Sequence, residues 1–101
     1  MPTESKKINV TVKFFTTLRE IAGKKEEKIE LSHAATVDAL LRVLSQKYGK
    51  EFNDYIYDNL GNVRGYLQIL VNGKSITTLQ GLKTKLKEGD QIAILPPVGG
   101  G

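Results

Sequence analysis

The chain has 101 residues, 40% of them hydrophobic, which fits one small soluble domain over residues 1–101, with a tail at 96–101. It contains no cysteine, so disulfide scaffolding, cysteine metal sites and a cysteine nucleophile are excluded. Its net charge of +4 is spread over lysines mixed with glutamates, and arginine occurs only at Arg19, Arg42 and Arg64; this suits an acidic protein partner, not a nucleic acid.

Residues Ile8 to Phe15 alternate, with Ile8, Val10, Val12 and Phe14 on one side and Phe15 on the polar side, a period of two that predicts a half-buried strand. Thr16 to Gly23 predicts a helical turn closed by the glycine, and Lys24 to Leu31 a second strand that pairs back on the first. From Thr36, the apolar positions Val37, Leu40, Leu41, Leu44 and Tyr48 form one helical stripe. Thr36 suits the N-cap, Asp38 the first turn, and Lys47 with Gly49 the other end.

Lys50 to Gly65 is ambiguous, with Phe52, Tyr55 and Ile56 able to form one amphipathic turn before the break at Asp58 to Asn62. Tyr66 to Val71 reads as a strand, and Asn72-Gly73 as a hairpin turn into a short strand at Lys74 to Thr77. Leu79, Leu82 and Leu86 are expected to anchor a short turn, and Glu88-Gly89-Asp90 leads into a last strand, Gln91 to Leu95. The order predicts an α+β fold, a mixed sheet packed on one main helix with its other face open. On that open face fall Phe15 and Leu95, each at the carboxyl end of its strand. Clustered apolar groups of this kind mark a partner surface.

Catalytic chemistry is sparse. His33 is the only histidine and sits in a loop, where a helix-entry role is favoured over metal or base chemistry. The glycines at the end cannot form a phosphate loop, which needs a following helix. The amino end is polar and no apolar run approaches the ~20 residues of a membrane span, so a cytoplasmic location without membrane contact is expected. What remains is the ending Pro96-Pro97-Val98-Gly99-Gly100-Gly101. The prolines favour an extended exit, and glycine without a Cβ can enter a narrow channel. From Val98 the stalk can reach roughly 13 Å. A terminal carboxylate becomes an acyl donor once adenylated by ATP, and an unhindered Gly101 leaves its carbonyl open to attack by sulfide or an amine.

The strand Ile8 to Phe15 followed by Leu18-Arg19-Glu20-Ile21-Ala22-Gly23 resembles the opening of the MoaD/ThiS family, which includes the small subunit of molybdopterin synthase. The Thr36-Val37 helix start, Val71-Asn72-Gly73, Glu88-Gly89-Asp90 and Ile94-Leu95-Pro96-Pro97-Val98 with its glycines extend the resemblance over nearly the whole chain from Ile8. It implies a ubiquitin-like β-grasp whose first and last strands are parallel neighbours, with a flexible glycine tail. Gly100 and Gly101 match the family's terminal diglycine, whereas Gly99 stands where another residue is common.

The same resemblance assigns Phe15, Ile76 and Leu95 to the contact surface for partners, and Pro96, Pro97 and Val98 to the segment entering them. It implies a sulfur carrier adenylated and then thiocarboxylated at Gly101, not an enzyme by itself, with no metal or bound cofactor. ATP would be consumed by an adenylating enzyme of the ubiquitin-activating type (MoeB/ThiF-like), and a large synthase subunit (MoaE-like) would take the sulfur. The longer stretches Lys50 to Gly65 and Thr77 to Lys87 look more like archaeal members and carriers of cysteine synthesis. Alternatives are therefore a protein modifier joined to target lysines, or a carrier for tRNA thiolation, thiamine or cysteine synthesis. A plain β-grasp binding module with an incidental tail is the third reading.

Overall fold

A computed structural model describes residues 6–96; the expected tail from Pro97 onward lies outside them. The first strand, β1 (Lys7–Phe14), buries Ile8, Val10, Val12 and Phe14 on one face. A short helix, α1 (Thr17–Ala22), follows and ends at Gly23, whose φ of 78° is left-handed and whose N–H donates to the Arg19 carbonyl at 2.9 Å. The second strand, β2 (Glu26–Ser32), returns antiparallel to β1 in a register running from Lys7 opposite Ser32 to Lys13 opposite Glu26. The expected hairpin therefore forms, with β2 starting two residues later than the sequence suggests.

Helix α2 (Val37–Tyr48) starts where the sequence places it, with Thr36 Oγ1 accepting the Ala39 N–H at 3.2 Å. Its stripe of Val37, Leu40, Leu41 and Leu44 is fully buried on the sheet. The ambiguous stretch then resolves into a second helix, α3 (Lys50–Ile56), separated from α2 only by Gly49 with φ 85°. Phe52 and Ile56 are fully buried. Phe52 and Tyr48 both meet the Phe14 ring edge-on, at centroid distances of 6.4 and 5.7 Å. Glu27 of β2 accepts the Tyr48 hydroxyl and holds Lys47 at 3.1 Å, which ties the end of α2 to the sheet.

Beyond α3, strand β3 (Gln68–Val71) begins at Gln68, not Tyr66, and Tyr66 is exposed. Asn72 and Gly73, with φ of 52° and 85°, form the two-residue hairpin turn into β4 (Lys74–Ser75). Asn72 also accepts the Gln91 N–H and donates to Asp90, fastening this turn to the start of the last strand. β4 stops after two residues because Ser75 caps a 3₁₀ turn, Ile76–Thr78, and Ile76 packs in the core. Leu79 is 40% exposed, so it does not anchor the following segment; Leu86 is buried and does, with Leu82 packed against the core.

The last strand, β5 (Gln91–Leu95), lies parallel to β1 and antiparallel to β3, giving the order β2-β1-β5-β3-β4. A hairpin, a crossover helix on one face and a central parallel pair make this a β-grasp. The helices cover one face, and the sheet's other face stays uncovered by described elements.

Phe52→Ala should cost about 3–5 kcal/mol in chemical denaturation, because a fully enclosed ring leaves a cavity. Leu79→Ala should change stability by less than about 0.5 kcal/mol.

Candidate functional site: the open face beside the chain exit

Each strand of the sheet sends alternate residues to the open face. In the shared register, Lys13 of β1 is level with Ala93 of β5, and Ala93 with Leu70 of β3. One step on, Phe14 is level with Ile94; Phe15 and Leu95 are the residues that follow these two in sequence, and Leu95 faces Gln68. Phe15, Leu70, Ala93 and Leu95 are all partly exposed and none belongs to the core. Phe15, Lys13, Leu70 and Ala93 line a shallow groove that runs towards Asn72 and Gly73. Pro96 follows Leu95 directly, so the apolar patch and the start of the tail are contiguous.

Phe15 is held there by a tight turn. Leu18 N–H donates to the Phe15 carbonyl at 3.1 Å, and Thr16 between them has φ 48° and ψ −116°. Those angles belong to the first central position of a type II′ turn, where glycine is the unstrained choice. A threonine there costs about 1–3 kcal/mol and turns the chain away immediately after Phe15. Arg19 reinforces the placement: its Nε donates to the Phe14 carbonyl at 3.3 Å and its guanidinium lies 5.9 Å from the Phe15 ring centroid. Lys13 and Arg19 make the rim of the patch positive, which suits an acidic partner surface.

Of the residues singled out in the sequence, Phe15 and Leu95 each follow the last level pair of β1 and β5, Phe14 and Ile94, and Pro96 follows Leu95. Ile76 does not join them. It is only 8% exposed and packs in the core, on the side opposite Ser75, which is level with the open-face Leu70, so it is not available to a partner on this face. Pro97, Val98, Gly99, Gly100 and Gly101 lie outside the described residues. Leu70 was missed, although simple alternation with the buried Ile69 and Val71 marks it as an open-face residue. The shifted titrations among the described residues lie elsewhere. Tyr55 and Tyr57 are raised chiefly by burial, and Lys50 is raised by its hydrogen bond to Asp54. No group of three or more metal-binding side chains occurs among the described residues.

A β-grasp with an apolar patch beside its last strand defines the ubiquitin-like class of small carrier and modifier proteins. Residues 12–101 match the ThiS family, and the chain belongs to it. It is similar to small archaeal modifier protein 3 of Haloferax volcanii, with 34% identity covering 93% of this chain and 100% of that protein. The molybdopterin synthase sulfur carrier subunit of Drosophila yakuba is 35% identical, covering 93% of this chain and 92% of the relative. Among solved structures, small archaeal modifier protein 1 of Methanosarcina acetivorans superposes with a TM-score of 0.81 at 37% identity, covering 95% of this chain and 99% of that one. No helix among the described residues is long and apolar enough to cross a membrane.

Thr16→Gly should raise stability by about 1 kcal/mol in a denaturant titration, since relief of the turn strain exceeds glycine's entropic cost.

Proposed function

We propose that this protein is a sulfur carrier whose reacting group is the carboxylate of Gly101, and that the open face is the surface its enzymes grip. The observation that supports this reading is the parallel β1–β5 pair, whose last level residues, Phe14 and Ile94, are followed by Phe15 on one strand and by Leu95 and Pro96 on the other. A partner that docks on the patch is thereby positioned at the root of the glycine stalk. Docking energy spent on the rigid body can then hold the terminal carbonyl in a remote catalytic site.

In the proposed sequence, an adenylating enzyme of the ubiquitin-activating type joins the Gly101 carboxylate to the α-phosphate of ATP and releases pyrophosphate. Sulfide attacks the acyl carbon, AMP leaves with the carbon–oxygen bond, and a thiocarboxylate remains. A larger catalytic subunit, seated on the same patch, would take that sulfur into the dithiolene of molybdopterin. The chain itself supplies no catalytic base in this scheme. It supplies an unhindered acyl carbon, a narrow stalk and a docking face, and its place of work is the cytoplasm. The Drosophila relative named as a synthase carrier subunit supports this end use.

A second reading is favoured by the Haloferax relative, whose name is that of a modifier. There the same acyl adenylate ends in an isopeptide with a lysine amine of a target protein.

Incubating the full chain with ATP, sulfide and its adenylating enzyme should give the mass gain of one oxygen exchanged for sulfur, located at Gly101 by fragmentation. No such gain, with the enzyme active on another carrier, would remove the proposal. Phe15→Asp should lower kcat/KM for adenylation by tenfold or more while the fold persists, as expected of a central apolar contact (roughly 1.4 kcal/mol or more). Higher-mass conjugates in cells that vanish on deletion of Gly101 would instead favour the modifier.

A further inference from the structure

The sheet has two edges, and they differ. β4 offers only two residues, whereas β2 offers seven, Glu26–Ser32, without proline or glycine. The hydrogen bonds to β1 show which backbone groups of β2 remain outward. Phe14 N–H donates to Lys25 O and His33 N–H donates to Lys6 O, so residues 25, 27, 29, 31 and 33 direct their polar backbone groups to β1. Those of Glu26, Lys28, Glu30 and Ser32 point away from the sheet. An uncovered row of this kind is a template for another strand.

The side chains of the same residues select the strand. Lys28 and Glu30 are exposed, on the face opposite the buried Ile29 and Leu31. Across β1 they meet only Thr11 and Asn9, and neither is in an ion pair among the described residues. The sequence Lys28-Ile29-Glu30 is self-complementary when two copies run antiparallel. With Ile29 opposite its own copy, Lys28 faces the second chain's Glu30, and Glu30 faces its Lys28. Both pairs then fall at hydrogen-bonded positions, as the outward backbone groups require. Centring on Lys28 sets Lys28 against Lys28 and Glu26 against Glu30, and centring on Glu30 sets Glu30 against Glu30. Centring on Leu31 leaves Glu30 against Ser32 with no attraction, and centring on Glu27, although it sets Lys28 against Glu26, opposes the two Glu27 side chains directly.

We propose that this edge is a self-association site, and that two copies pair through β2 in the register centred on Ile29 to form one continuous ten-stranded sheet (about twice the five strands of one copy). The axis is perpendicular to the sheet, so both open faces stay on the same side and uncovered. The two chains' last strands run in opposite directions, so the two Pro96 exits lie at opposite ends. The dimer therefore presents two independent carrier heads. A single strand pair buries little area, which makes the association weak and concentration-dependent. This inference does not rest on the carrier reading.

Sedimentation velocity of the full chain over about a hundredfold range of concentration tests it. The unaltered chain should show a reversible monomer–dimer equilibrium. K28E and E30K should each weaken it about tenfold or more, because two attractions become two repulsions. The double variant K28E/E30K should restore it, and an equimolar mixture of the two single variants should associate more tightly than either alone. Unchanged circular dichroism and melting in each variant keeps the comparison among folded chains. A chain that stays monomeric throughout, a dimer indifferent to K28E, or a double variant no better than the singles would overturn the proposal.

Discussion

The parallel pairing of β1 with β5 is the contact on which the rest of the molecule depends. The two strands are far apart in sequence, and their hydrogen bonds form only after the intervening chain has crossed the sheet. That crossing is made by α2, whose apolar stripe must cover the same sheet face that β1 and β5 bury with Val12, Phe14, Ile92 and Ile94. Burial of those side chains contributes about 1.5–3 kcal/mol each, so the central pair is fixed by its packing as much as by its ladder. The same register that interleaves the buried residues also fixes the residues on the opposite face, where Lys13, Ala93 and Leu70 are level with one another.

The loops around this pair are restrained by polar contacts at the sheet's other end. Glu88 accepts the Asn9 N–H, Gly89 donates to Asn9, and Thr11 donates to the Asp90 carbonyl. Asn72 joins the β3–β4 hairpin to the same corner through Asp90 and Gln91. The amino end of β5 is thereby clamped from both neighbours, while its carboxyl end leads to Pro96 beside the patch. Directly after Phe15, Thr16 holds a left-handed conformation that costs local stability and turns the chain off the sheet.

Much of this was legible in the chain. The period-two runs, the Thr36 cap, the Asn72-Gly73 turn and the stripe of α2 each carry a local signal that tertiary structure did not override. The open-face positions of Phe15, Lys13 and Leu95 followed from parity alone, and the same parity would have yielded Leu70. Three stretches were not legible, and the reasons are physical. α3 is only seven residues long and preceded by a glycine, so its two buried positions, Phe52 and Ile56, are too few to define a period. Tyr66 and Leu67 continue the alternation of β3, but β5 ends at Leu95, level with Gln68, so among the described residues no strand pairs with them. Ile76 reads as the next strand residue, yet the Ser75 cap converts the chain to a 3₁₀ turn there.

Local sequence determined which segments become strands or helices and which side of each is apolar, because backbone preference and side-chain alternation act within a few residues. In the irregular segment after β4, which apolar residue becomes core and which becomes surface was decided only by the tertiary structure. Ile76 and Leu79 are close in sequence and similar in character, yet one is enclosed and the other open. The difference lies in what distant segments pack against them, information carried by no single stretch of the chain.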